Sequence, residues 1–215
     1  VSNLPFSLKL HSTGGGLSTS RYRGDIVAGS LLVPESRKVA DLMIQGFSGQ
    51  PLKHKILDDN LLQKRSPVTA QRQARLIVAR LSAIDPSFWP IIRDDSKEQA
   101  TQAMFCAAIK HSRLVGDFIH QVIATKIRTF QNDIAYRDWD TFVDQGRSID
   151  STLDSWSETT RAKVRQVVFR ILAEAKIIDS TRSKHLLPFT LLPEIRSLLE
   201  KHQETYVLRC LEIFQ

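Results

Sequence analysis

The chain has 215 residues, 42% of them hydrophobic and 25% charged, with a formal net charge of +7 and a pI near 9.6. That length and balance describe a soluble globular protein with room for one large or two small domains, and they exclude disorder beyond the ends. The charge suits a polyanionic partner, either nucleic acid or an anionic membrane surface, and no stretch approaches the roughly 18 apolar residues of a spanning helix.

Residues 1–20 are rich in Gly, Ser and Thr and read as a flexible lead-in. Gly14, Gly15 and Gly16 are not a phosphate loop, because no Gly-Lys-Ser/Thr follows to hold phosphates and magnesium. The start also lacks the basic and apolar regions of a secretory signal, and Arg23-Gly24-Asp25 spells an adhesion tripeptide by chance. Pro34 and Glu35 open a helix to about Gln45 that Gly46 closes, and Pro51 opens the next.

The stretch from Lys53 to Leu81 reads as two helices separated by a turn, the shape of a helix-turn-helix. Lys53, Lys55, Lys64, Arg65, Arg72, Arg75 and Arg80 oppose only Asp58 and Asp59, so seven cations against two carboxylates leave +5 in this window. Ser66, Pro67 and Thr69 supply the turn and N-cap chemistry. From Ala70 onward, Ala74, Ile77, Val78 and Leu81 share one face at helical period. Arg72 and Arg75 then project away from that face, near an N-terminus whose N–H groups and dipole also favour phosphate. In such a motif Gln71 and Arg72 are placed to reach base edges of duplex DNA, and Lys64, Arg65 and Arg75 to hold phosphates. The competing reading is an ordinary amphipathic helix with solvated charges.

Asp85-Pro86 starts a short helical turn holding Phe88 and Trp89. A long pattern from Ser96 to His111, apolar on most of its circumference around Met104, Phe105, Cys106 and Ile109, marks the central helix of a bundle. Arg113 to Phe130 and Asp138 to Gln145 continue the helical series, so 21–147 reads as an N-terminal helical domain. A boundary falls at Gly146–Asp150. In 148–215, Ser157 precedes a helix from Glu158 to Ala175 whose Val164, Val167, Val168, Ile171, Leu172 and Ala175 form an apolar stripe, with Lys163, Gln166 and Arg170 opposite. Two β-prone pieces follow, at Ile177-Ile178 and Leu186-Leu187, joined by a basic tip with Arg182 and Lys184. Helix, hairpin and further helix predict a small winged-helix element. Arg161, Lys163, Arg165, Arg170, Lys176, Arg182 and Lys184 against Glu174 and Asp179 make a second +5 window, unless the tip is simply solvated.

Catalytic and metal chemistry find no foothold. His11, His54, His111, His120, His185 and His202 show neither the i, i+4 pairing of a helical zinc site nor a neighbouring cysteine pair. Asp58-Asp59 and Asp94-Asp95 are sequence neighbours and diverge on a helix, so they suit caps better than a paired acid and base. No nucleophile elbow, kinase signature or dinucleotide fingerprint occurs, and neither an enzyme nor a cofactor is expected. Cys106 and Cys210 read as buried free thiols of a reducing cytoplasm.

Several phrases, in order, carry a resemblance: AGSLLVPES with Val39-Ala40 at 28–40, DNLLQKRSPVTAQR at 59–72, the Arg80-Leu81 pair, RLVGDF at 113–118 and DWDTF at 138–142. Together they resemble the BrxA family of the bacteriophage exclusion (BREX) defence systems, from Tyr22 to about Ala175. The resemblance implies a small, all-helical, non-enzymatic DNA-binding protein encoded beside a DNA methyltransferase, a large ATPase, a phosphatase-like protein and a protease-like AAA+ protein. A proposed likeness of the family to an RNA-binding antitermination fold leaves RNA open. The family offers no catalytic motif to carry over, so the candidate residues rest on charge and helix geometry. The expectation is therefore a cytoplasmic protein of mainly helical fold that binds duplex DNA through Lys64, Arg65, Gln71, Arg72, Arg75, Arg161, Lys163, Gln166, Arg170, Arg182 and Lys184. An adaptor docking on other BREX components is the rival from a different class. RNA ranks below duplex DNA because the aromatics fall mostly on apolar helix faces.

Overall fold

The computed structural model describes residues 21, 22 and 24–214, so the Gly14–Gly16 triplet, the rest of the lead-in and Arg23 lie outside the described residues. Helices follow one another along the chain, after a 3-10 turn at Gly24–Ala28. α1 (Val33–Ile44) carries Pro34 in its first turn and ends where Gly46 takes φ +91°, a conformation open to glycine without strain. α2 (Gly49–Asp58) leads through Asp59–Ser66 into α3 (Pro67–Ala83). α4 (Phe88–Asp94) is followed by α5 (Lys97–His111), which opens with a capping box: Gln99 N–H donates to Ser96 Oγ and Ser96 N–H to Gln99 Oε1, both at 3.2 Å. Ala100 and every residue from Gln102 to Ile109 are buried, which makes α5 the central helix its all-round apolarity predicts.

The segment read as one helix from Arg113 is α6 (Arg113–Phe118), a π-helical turn (Ile119–Ile123) and α7 (Ala124–Arg128). A π turn adds one residue per turn and shifts the phase of everything after it. α8 (Tyr136–Gly146), a 3-10 turn (Ser151–Ser155), α9 (Glu158–Glu174), α10 (Pro193–Lys201), α11 (Thr205–Leu211) and a last 3-10 turn (Glu212–Phe214) complete the order.

One apolar cluster runs from Tyr22 to Leu211 and draws on nearly every helix. Its aromatic centre stacks Phe118 against Trp139 and Phe142, with centroids at 5.2 and 5.4 Å in edge-on geometry. Two polar joints adjoin it, one on the buried Asp117 and one on Glu174 at the surface. Asp117 accepts from Arg21 Nε at 3.0 Å and Nη2 at 2.7 Å, from Tyr22 Oη at 3.0 Å and from Tyr206 Oη at 2.9 Å. Gly116 lets that last ring approach, since a Cβ there would stand 2.8 Å from Tyr206 Cζ. Burial, then the Asp117 charge, pushes the Tyr22 phenol up to about 12, and burial leads the rise at Tyr206. At the second joint Glu174 accepts from Ser30 Oγ at 2.6 Å and Leu31 N–H at 2.9 Å. Beside it the Arg80 guanidinium donates to the carbonyls of Ser30 and Gly29.

The predicted winged-helix hairpin is not formed: no strand or sheet exists among the described residues. Ile178 bridges Leu186 and Asp133 bridges His185, each in isolation. Lys176 and Lys184 take φ +62° and +63°, outside the extended region, and Pro188 has no N–H to donate. The extended pieces are therefore cut too short to ladder. The fold is mainly helical, as expected, without the wing.

Candidate nucleic-acid interface

α3 begins as its sequence demands, with Thr69 N–H donating to Ser66 Oγ at 3.4 Å and Pro67 in the first turn. Its first turn holds no acidic residue, so the positive end of its dipole is not offset as it is by Glu158 in α9. Ala70, Ala74, Leu76, Ile77 and Leu81 are buried, while Gln71, Arg72 and Arg75 are exposed. Arg65, Arg72 and Arg75 have no carboxylate within ion-pair distance among the described residues. Lys64 differs: its ammonium lies 2.6 Å from Glu35 Oε1 and is largely covered. Arg80, counted with the basic helix from sequence, is 1% exposed and serves the interior; burial pushes it down to about 10, against the pull of Asp25 and Glu174.

On α9, Lys163, Gln166 and Arg170 form an exposed stripe, and neither cation has a carboxylate partner among the described residues. The flank of the same helix is committed to α8: Arg161 meets Asp144 at 3.4 Å and Arg165 meets Asp140 at 3.0 Å. The second basic island reaches the start of α1, where Glu35 is the partner of Lys64. An open cleft of about 560 Å³ is lined there by Glu35, Lys97, Thr101, Arg170, Glu174 and Lys176. Glu35 is taken by Lys64 and Glu174 by Ser30 and Leu31, so Lys97, Arg170 and Lys176 hold the cleft's unpaired charges among the described residues.

Arg182 and Lys184 sit on a turn that Asp179 organises, accepting from Ser180 N–H at 2.6 Å, His185 N–H at 3.0 Å and Ser183 Oγ at 2.6 Å. These bonds hold the Asp179 carboxyl below its ordinary pKa, the Ser183 hydroxyl contributing most. Arg182 is exposed, and the Lys184 ammonium lies 4.9 Å from the centre of the Tyr136 ring, with Arg165 at 4.5 Å from it. Sequence reasoning missed Lys97 and Tyr136, the first for standing outside both charge windows and the second for preceding its predicted helix. No group of three or more His, Cys, Asp or Glu among the described residues could hold a metal ion. No helix of the described residues is long and apolar enough to cross a membrane.

The BrxA family model matches residues 20–203. A BREX protein BrxA of Paramagnetospirillum magneticum (strain ATCC 700264 / AMB-1) is 38% identical over 197 residues, covering 92% of this chain and 99% of its own. The chain belongs to the BrxA family. Another BREX protein BrxA, from Escherichia coli O9:H4 (strain HS), is 32% identical across 88% of this chain and 89% of its own length. The crystal structure of an uncharacterized protein from Magnetospirillum magneticum superposes with a TM-score of 0.84 at 37% identity, covering 90% of this chain and 99% of its own. These likenesses place the chain with BrxA of BREX phage defence. Several phrases that resemble the BrxA family fall on tertiary joints: Ser30 and Leu31 at Glu174, Arg80 beneath them, Asp117 at its hub, and Trp139 with Phe142 in the aromatic centre.

Proposed function

We propose that this BrxA-family chain is a non-enzymatic, DNA-binding component of a cytoplasmic BREX system that grips duplex DNA mainly through phosphates. The observation that carries the reading is the set of exposed cations without carboxylate partners among the described residues: Arg65, Arg72 and Arg75 around the start of α3, and Lys163 and Arg170 along α9. Gln71 and Arg72, early on an exposed face of an amphipathic helix, are the residues proposed to reach base edges, as the first residues of a recognition helix do. The Asp59–Ser66 connection is longer than the roughly 3–4-residue turn of that motif, so α2 serves as a support rather than a fixed second reader. Lys64 and Arg161, held by Glu35 and Asp144, rank below the unpaired cations as phosphate contacts.

Each neutralised phosphate releases condensed counterions, so the slope of log affinity against log salt should approach about −0.9 per contact. Fluorescence anisotropy on a blunt duplex across a salt series should show a steep slope, and the double variant Arg72→Ala/Arg75→Ala should lower affinity on every sequence and flatten the slope by about 1 per lost contact. Affinity that ignores salt, or an unchanged double variant, removes α3 from the interface.

A specific feature supports an adaptor as the second reading. Between α2 and α3 lies a groove of about 410 Å³ lined by Leu52, Ile56, Leu57, Ala74 and Val78, with Lys53 and Arg75 at its rim. Apolar floor and cationic rim fit an acidic amphipathic helix of another BREX component. Association with such a component that survives nuclease and moderate salt would favour this reading over duplex binding.

A further inference from the structure

Two aromatic side chains close to one another in the sequence, Phe130 and Tyr136, stand exposed. Phe130 is 91% exposed and takes φ +54°, the left-handed conformation that glycine or asparagine ordinarily supplies after a helix. The end of α7 closes around it, Phe130 N–H donating to Ile127 O at 3.1 Å and Gln131 N–H to Lys126 O at 2.9 Å. The left-handed backbone costs free energy, and the solvated ring gains none by burial to offset it. Six residues on, Tyr136 is 43% exposed, its ring backed edge-on by Phe169 at 5.1 Å and framed by Arg165 and Lys184. The Cα atoms of the two residues are no more than about 22 Å apart along the chain.

The intervening loop is fixed to the basic tip. Leu186 N–H donates to Asn132 O at 2.7 Å and Ile134 N–H to Lys184 O at 3.1 Å, while Asp179 holds the tip itself. Around this platform Arg128, Arg137 and Arg182 are exposed without a carboxylate partner among the described residues. Of the carboxylates here, Asp138 is engaged by Lys126 and the Ala135 N–H, Asp140 by Arg165, and Asp179 by the tip, which leaves Asp133 as the opposing charge.

We propose that the α7–α8 loop and the Asp179–His185 tip together seat unpaired nucleotides, with Phe130 and Tyr136 as stacking surfaces and Lys184, Arg182 and Arg128 meeting the phosphates. Exposed rings interleaved with cations match a single strand, whose base faces are open; a duplex hides those faces and offers only its backbone and groove edges. The inference rests on the nucleic-acid reading above and gives it a second site with different chemistry from α3. Stacking reads neither sequence nor sugar, so the shared ligand is an unpaired strand, DNA or RNA.

The test compares, by fluorescence anisotropy, a blunt duplex, the same duplex with a single-stranded overhang, oligo-dT and oligo-U of equal length. Phe130→Asn suits the left-handed backbone, so it should fold at least as well as the parent while losing the ring. It and Tyr136→Ala should each weaken overhang and oligo-dT binding about tenfold and leave the blunt duplex unchanged, with Tyr136→Trp restoring the loss. Tighter binding of oligo-U or of oligo-dT by the parent supports the site and identifies the strand. Equal affinity for blunt and overhang duplex, with no effect of Phe130→Asn, overturns this inference alone. Oligo-dT bound without any duplex supports it and overturns the duplex reading. Loss of self-association in Phe130→Asn, with single-strand affinity intact, overturns it in favour of a contact between copies.

Discussion

Arg80 shows what one residue's position on a helix decides. It stands three residues after Ile77 and one before Leu81, both buried, so its phase on α3 turns it inward while Arg72 and Arg75 face out. A buried guanidinium loses hydration and recovers part of it by bonding the carbonyls of Ser30 and Gly29. Arg80→Ala should lower unfolding free energy by about 3 kcal/mol, from the cavity and from two carbonyls left without a donor. Arg80→Met, which fills the space without the charge, should cost clearly less; urea titrations of the two variants check the order. The inward turn was legible, since the apolar period of α3 passes through position 80. Charge counting alone hid it, because a count assigns every arginine to the surface. Phe130 was hidden for the opposite reason: at a helix end, period no longer says which way a ring points.

At the scale of elements, α3 and α9 were legible because their apolar stripes and the caps Ser66 and Ser157 agree on where each helix begins. The hairpin was not, because the β propensity of Ile177-Ile178 and Leu186-Leu187 says nothing of the left-handed lysines that interrupt the backbone between and before them. What holds the tip is a carboxylate rather than a ladder. The folded pKa of Asp179 lies below its unfolded value, so the charged form is favoured in the fold; its contribution is full above the ordinary value of about 3.8 and is lost as pH falls through the lower folded value. Amide protection at Ser180 and His185, followed by NMR hydrogen exchange, should hold at neutral pH and fall selectively below that point. Asp179→Asn should show the weakened protection at every pH.

Across the whole molecule, the segment after residue 147 is stitched to the front of the chain. Tyr22 N–H donates to Asp150 Oδ2 at 2.7 Å, Glu174 holds Ser30 and Leu31, and Gln102 bonds Thr190 and Leu192. Apolar burial runs through these joints without a gap. Thermal or urea unfolding should therefore give coincident midpoints by helical circular dichroism and by fluorescence of Trp89, Trp139 and Trp156, which sample different elements. Separate midpoints would divide the chain into the two parts its sequence suggests.

Asp117 carries one more consequence. Arg21 and Tyr22 grasp it from the front of the described chain, and Tyr206 grasps it from the last α-helix, so a single carboxylate buckles a belt whose two straps lie at opposite ends of the sequence. A chain clipped behind α10 would lose one strap and leave the buried Asp117 charge to Arg21 and Tyr22 alone.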